Sequence, residues 1–257
     1  MSRHTPPPST RTRRVLALIP LVGTMTLATA CTTTAADPPG STPSGAAPTS
    51  TAAAADPTGQ PSPSTSASGP VTIPTSAFVE LPPELRKSPR RTVPVEQALP
   101  KLCANEFGTG GRQVTAAAAM TVTYKGADDG PSYTPQGMVH QTIFTFAGTG
   151  ATDYLARLRT DLKACPSYQQ FGNRATVKTE ALPGIGDEAL LLTRTWPNTN
   201  LNGEHTGGNG SSQIAVARVD TVVTVFNDQG WEGSSGNPAV VDRVVRDGVR
   251  AIDAWHG

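Results

Sequence analysis

From Thr32 to about Pro70 this 257-residue chain is almost wholly Ala, Thr, Ser, Pro and Gly, with no aromatic residue and only Asp37 and Asp56 charged. Such a stretch buries too little apolar surface to offset the entropy of ordering it, so it is expected to be disordered. Any hydrophobic core is thereby confined to the residues after about 74. Overall the chain is 37% hydrophobic and 16% charged, with 25 Gly and 24 Pro, which reads as an ordered domain diluted by low-complexity sequence. One domain of roughly 180 residues is expected over 75–257. A flexible coil of about 40 residues spans about 35 Å on average, so the tract acts as a spacer. Its Thr and Ser beside proline are also of the kind that accept O-linked glycans.

Ahead of the spacer, residues 1–14 carry Arg3, Arg11, Arg13 and Arg14 and no acid. Residues 15–27 are apolar, and Ala28-Thr29-Ala30 supplies small residues before Cys31. This is the order of a secretory signal peptide. The apolar run is about 13 residues and contains Pro20 and Gly23, whereas a spanning helix needs about 20. The segment resembles the lipobox of bacterial lipoproteins, with Ala28 where Leu is commoner. That resemblance implies a signal peptide over 1–30 and a diacylglycerol, with acyl chains such as palmitate, on the Cys31 thiol. It further implies a tether over 31–74 and an anchored domain on the outer face of the cytoplasmic membrane. Thr12-Arg13-Arg14-Val15-Leu16 is also similar to a twin-arginine export motif, which leaves two export routes open. Losing the four arginines changes the formal charge of +1, since 21 basic residues fall to 17 against 20 acids, or about −3. A mildly acidic chain without a basic patch is a poor binder of nucleic acid.

With Cys31 set aside, Cys103 and Cys165 remain as a pair in an oxidising compartment, and a disulfide is the natural reading. Two buried free thiols are the alternative. A zinc site is disfavoured because neither cysteine has a second Cys or a His at ligand spacing.

Within the domain, residues 71–94 are Pro-rich and extended, and a helix-prone stretch follows over Val95–Phe107, interrupted near Pro100. The segment 114–124 reads as a strand, although its alanine run equally suits a helix. The alternation in 139–146 indicates a strand. Leu155, Leu158 and Leu162 form one stripe of a helix ending at Cys165-Pro166. Residues 174–182 and 188–196 flank the turn Pro183–Asp187 as a strand pair, and 197–212 read as a polar, glycine-rich loop. Residues 213–218 and 221–227 form a hairpin across Val219-Asp220. Asn237-Pro238 then starts a helix with Val241, Val244, Val245, Val249 and Ile252 on its apolar stripe. The expected fold class is α+β, an antiparallel sheet with two main helices packed on one face.

The phrases LRTDLKACP, LPGIGDEALLL and ARVDTVVTVF, in that order before a C-terminal helix, resemble the actinobacterial extracytoplasmic sensor-like domains. Those domains are similar to the extracellular part of the mycobacterial serine/threonine kinase PknH and occur in many lipoproteins. The resemblance covers about residues 75–257. It implies an antiparallel sheet, two main helices and a cleft that receives a ligand, with no established catalysis. Two departures stand out: this chain can make only the Cys103–Cys165 disulfide where the kinase domain has two, and the hairpin turn has Asp220 where Gly is common.

Candidate chemistry is sparse. Gly184-Ile185-Gly186-Asp187-Glu188-Ala189 matches GxGxxA in form, but a strand-like run follows where a dinucleotide site needs a helix. No cofactor is expected. Neither HExxH nor GxSxG occurs, and neither a catalytic residue nor a metal ligand is assigned. His140 reads as a half-exposed sheet residue. His205, beside Glu204 in the glycine-rich loop, and Asp187 in the turn are candidate ligand contacts. Trp196 and Trp231, at loop edges, are candidate aromatic platforms for sugars or glycans. The expected function is a lipid-anchored, non-catalytic binding or sensor-like module whose ligand is cell-wall material, a small molecule or another envelope protein. An envelope enzyme built around His140, His205 and Asp187 is the alternative.

Overall fold

The structure is a computed structural model that describes residues 71–170 and 172–257. The signal peptide, Cys31 and all but the last four residues of the tether lie outside the described residues. After an extended lead-in with one 3-10 turn at Thr75–Ala77 come β1 (Arg86–Lys87), β2 (Arg91–Val93), the one-turn helix α1 (Val95–Ala98), β3 (Val114–Lys125) and β4 (Gly137–Phe146). Then follow α2 (Gly150–Ala164), β5 (Ser167–Gln170), β6 (Asn173–Ala181), β7 (Glu188–Thr199), β8 (His205–Val219), β9 (Val222–Gly230) and α3 (Pro238–His256). The strands form one nine-stranded sheet in the order β1-β3-β4-β9-β8-β7-β6-β5, with β2 also on β3. Every pairing is antiparallel, so the α+β class holds.

The two long helices lie on opposite faces of the sheet rather than together on one, which corrects the expected layering. Ala215, Ala217 and Val219 of β8, with Val222 and Phe226 of β9, join Val241, Val244, Val245, Val249 and Ile252 of α3 in one core. The alternate residues, Ile214 and Val216 with Val223 and Val225, join Leu155, Leu158 and Leu162 of α2 in the other. Successive strand side chains point to opposite faces, so a run that is apolar at every position must be covered on both. Ile214–Ala217 of β8 and Val222–Phe226 of β9, interrupted only by Thr224, come close to such runs.

On its face, α3 comes close enough that a Cβ on Gly248 would stand 2.3 Å from Cζ of Phe226, so only glycine permits this packing. Its N-terminus is capped as expected, Asn237 Oδ1 accepting from the Ala239 N–H at 3.1 Å with Pro238 in the first turn. On the other face Phe144, Phe146 and Tyr154 form an aromatic triangle with centroids 5.7–6.1 Å apart beneath α2.

Two local expectations are revised and one open choice, at 114–124, is settled as strand. The helix expected over 95–107 is a single turn ending at Ala98, because Pro100 follows directly and disfavours helical geometry at Leu99. Residues 114–124 are strand despite their alanines, held between β4 and the short β1 and β2. Residues 197–212 are not a loop but the outer part of a long hairpin, since the β7–β8 ladder runs out to Thr199–His205. Its tip is an Asx turn in which Asn200 Oδ1 accepts from the N–H groups of Asn202 and Glu204. Cys103 and Cys165 form a disulfide, Cα to Cα 5.9 Å, that ties the end of α2 to the irregular chain after α1. Among the described residues no helix is long and apolar enough to cross a membrane.

Candidate functional site

The sheet forks at one end. The β8–β9 ladder begins at Ile214–Asn227, whereas β4 and β9 stay paired out to Gly137–Gly230 and β7 and β8 out to Thr199–His205. Residues 234–236 occupy the gap, the Gly236 N–H donating to Ser211 O at 2.8 Å and the Ser211 N–H to Ser235 Oγ at 3.1 Å. On the α2 side, beyond the end of that helix, a cleft of about 630 Å³ opens at the fork. It is walled by α1 through Lys101, β5, β7, Ser212 of β8, and the end of β9 with the loop after it.

Its floor is made by alternation. Leu190, Leu192, Arg194 and Trp196 share one face of β7; the two leucines enter the core under α2, and the next two positions carry that face into the cleft. Trp196 is only 6% exposed and lies across its register partner Gly210, where a Cβ would meet the indole Nε1 at 2.5 Å. Arg194 is 4% exposed, and its Nη2 donates to Asn227 Oδ1 at 3.0 Å and to the Asp228 carbonyl at 3.1 Å. Beside it stands the Tyr168 hydroxyl, which donates to Gln170 Oε1. Burial lowers the Arg194 pKa and raises that of Tyr168.

The same face is polar further across. Thr121, His140 and Asn227 lie in one register row of β3, β4 and β9, and Arg194 faces Ser212 across β7 and β8. Each of these five side chains has a buried polar atom without a hydrogen-bond partner among the described residues. Two of the five, Arg194 and Ser212, line the cleft, and a buried polar atom that does lack a partner costs about 1–3 kcal/mol. Burial also lowers the His140 pKa, which keeps the imidazole neutral at neutral pH.

The structure places the sequence candidates as follows. Trp196 lines the cleft, but as a buried wall rather than an exposed platform. Trp231 is half-buried in the 3-10 turn Trp231–Gly233, next to the cleft residue Gly230 but outside the lining. His205 is exposed near the tip of the β7–β8 arm, with the Glu204 carboxylate engaged by Asn200 Nδ2 at 2.8 Å. Asp187 is structural, bonding Arg218 Nη1 at 2.9 Å and the Asp220 N–H at 2.7 Å, which closes the hairpin turn where Asp220 takes φ 50°. His140, expected half-exposed, is 9% exposed. These residues therefore do not converge on one centre. Cys103, Cys165 and Glu106 do converge, but both sulfurs are committed to the disulfide and are not ligands.

Arg194 was not singled out by sequence, though its signal was present. In LLLTRTW it falls on the Leu-Leu-Trp parity of the strand, a charge in an otherwise buried row.

The fold and site together define an antiparallel α+β domain, helix-covered on both faces, with a polar cleft at a forked sheet end. No family model matches the chain, and no curated protein matches it. Among solved structures it is similar to the extracellular domain of PknH from Mycobacterium tuberculosis, at 14% identity and a TM-score of 0.43, covering 66% of this chain and 86% of that one. At that level of likeness the functional reading rests on the cleft's own residues.

Proposed function

We propose that this chain is a ligand-binding, sensor-like module held at the outer face of the cytoplasmic membrane by lipid on Cys31, and that the cleft at the sheet fork is its binding site. The supporting observation is a cleft of about 630 Å³, within the range of small-molecule sites, with Trp196 and Tyr168 in its walls and buried hydrogen-bonding atoms beneath it. Aromatic walls with amide and hydroxyl groups suit a polar ligand such as a cell-wall glycan fragment. The alternative enzyme reading rests on His140, His205 and Asp187, and these three residues neither line the cleft nor share one centre. The test is a thermal-shift screen of the full chain against muropeptides, neutral glycans, small organic acids and lipids. A rise in melting temperature that Gly210→Ala abolishes, by displacing Trp196, supports the cleft; no shift with any class overturns it. Anchoring is tested separately, since Cys31→Ala is expected to move the protein from the detergent phase to the aqueous phase.

A further inference from the structure

We infer that the ligand presents an oxyanion, a carboxylate or phosphate group, to Arg194 at the back of the cleft and to Lys101 at its rim. This rests on the cleft being the ligand site. The first reason is charge without compensation. An arginine is always charged, and burying it costs several kcal/mol unless it is paired. Arg194 is 4% exposed, yet its two hydrogen bonds go to a neutral amide oxygen and a backbone carbonyl, and it makes no salt bridge among the described residues. Both bonds use Nη2 alone, while the buried Nε has no acceptor among those residues.

The neighbouring carboxylate makes no direct ion pair with it among the described residues. Asp228 lies on the α3 parity of β9, where Oδ1 accepts from the Tyr124 hydroxyl at 3.0 Å and Oδ2 from the Asn237 N–H at 2.6 Å. Burial pushes its carboxyl up to about 6 against the opposing pull of these hydrogen bonds and of the Arg194 charge, so Arg194 receives only a longer-range attraction from it and no ion pair.

A purely structural role explains less. Tying β7 to β9 across β8 needs only the two Nη2 bonds, which a neutral amide side chain supplies without burying a charge. A guanidinium adds a planar set of donors, the geometry that carboxylate and phosphate match. Lys101 is exposed, lines the same cleft and has no salt bridge among the described residues, so a second cation faces the same space. Glu96 is the one acid in the lining. The remaining polar groups, among them Ser212, Ser234 and Gln229, are neutral and suit a hydroxyl- or amide-bearing scaffold around the anion.

The experiment is a titration of the full chain carrying Cys31→Ala, followed by NMR at the Arg194 Nε–H and at the amides of Trp196, Ser212 and Gln229. Inorganic phosphate and acetate are the probes, with chloride at matched ionic strength as control. Saturable shifts at these positions beyond those in chloride are expected, and the stronger of the two anions separates a phosphate from a carboxylate source. Arg194→Lys is expected to weaken binding by about 10-fold, since it keeps charge but loses the planar donors. Lys101→Gln, at an exposed position where folding is not at stake, is expected to weaken it by about 3-fold. Shifts no greater than those in chloride, or affinities unchanged in Lys101→Gln and Arg194→Lys, overturn the inference. Neutral glycans binding at the same amides while the anions do not would leave the cleft as the ligand site and remove the anion. Silence from both kinds of ligand removes both.

Discussion

The two faces of the sheet are covered by helices of similar kind and finished in different ways. On the α3 face, a 19-residue helix lays an unbroken aliphatic stripe over β8 and β9, and the 77–79 segment is fixed to β4 by the Val79 N–H donating to Gln141 Oε1 at 2.8 Å. On the α2 face, the 15-residue helix covers only the aromatic half, and the polar half is roofed by a one-turn helix and irregular chain. The first face is built for stability. The second carries hydrogen-bonding groups that packing alone does not satisfy, and its roof is held by a covalent staple.

That difference sets the largest expected effect. Replacing Cys103 and Cys165 together with serine opens a 62-residue loop and is expected to destabilise the domain by about 4 kcal/mol on chain-entropy grounds. Hydrogen exchange is expected to rise first in α2 and the chain around Lys101, while α3 stays protected until global unfolding. Equal loss of protection in α3 and α2 would break the comparison. The bond itself is checked by intact mass, two daltons lower before reduction than after. On the opposite face, Ile252→Ala removes a fully buried side chain from the α3 stripe and is expected to cost about 3 kcal/mol in denaturant unfolding. Its signature is reversed, since the cleft amides should keep their native shifts.

How much of this was legible in the sequence follows from the same contrast. The apolar stripes of α2 and α3, the hairpin at Asp220 and the cap at Asn237 are local patterns, and each formed where its residues required. The disulfide followed from counting cysteines. What sequence did not disclose depends on partners distant along the chain. Ile214–Ala217 is apolar on both parities, a two-sidedness that the expected one-face layering overlooked, and the strand order shows which helix covers which face. The arm over 197–212 carries the glycines of a loop, but a backbone ladder needs no side chains to form. Arg194 became conspicuous only when the fork left it beside a cleft, although its parity with Leu190 and Leu192 was already readable.

The faces also titrate in opposite senses. Asp228, on the α3 side, has a folded pKa of about 6 against an ordinary 3.8, raised chiefly by burial. The folded state therefore holds the proton more tightly, and the associated stability is fully present below about pH 3.8 and lost as the pH rises to about 6. The gap corresponds to roughly 2–3 kcal/mol. His140, on the α2 side, has its pKa lowered from 6.5 by burial, so its contribution is present above pH 6.5 and lost as the pH falls through the lower folded value. Denaturant melts between pH 3.5 and pH 7 are expected to separate the two. Asp228→Asn removes the loss between about pH 4 and 6 and leaves the acid-side loss from His140, whereas a profile unchanged by that substitution would show that Asp228 is not the group titrating.

The smallest expected effect isolates how the α3 face begins. Asn237 plays two parts through different atoms. Its side-chain Oδ1 caps the helix at the Ala239 N–H, and its backbone N–H donates to Asp228 Oδ2. Asn237→Ala deletes only the first, because alanine retains the N–H. The expected loss is therefore that of a helix cap alone, about 1 kcal/mol. The pH dependence assigned to Asp228 should persist in this variant, since its hydrogen bonds from Tyr124 and the residue 237 backbone are untouched. A larger loss accompanied by a shifted Asp228 titration would mean that the cap side chain also positions the loop against β9. In that case the start of α3 and the fork that opens the cleft on the other face are one mechanical unit, and the two faces are less independent than their cores suggest.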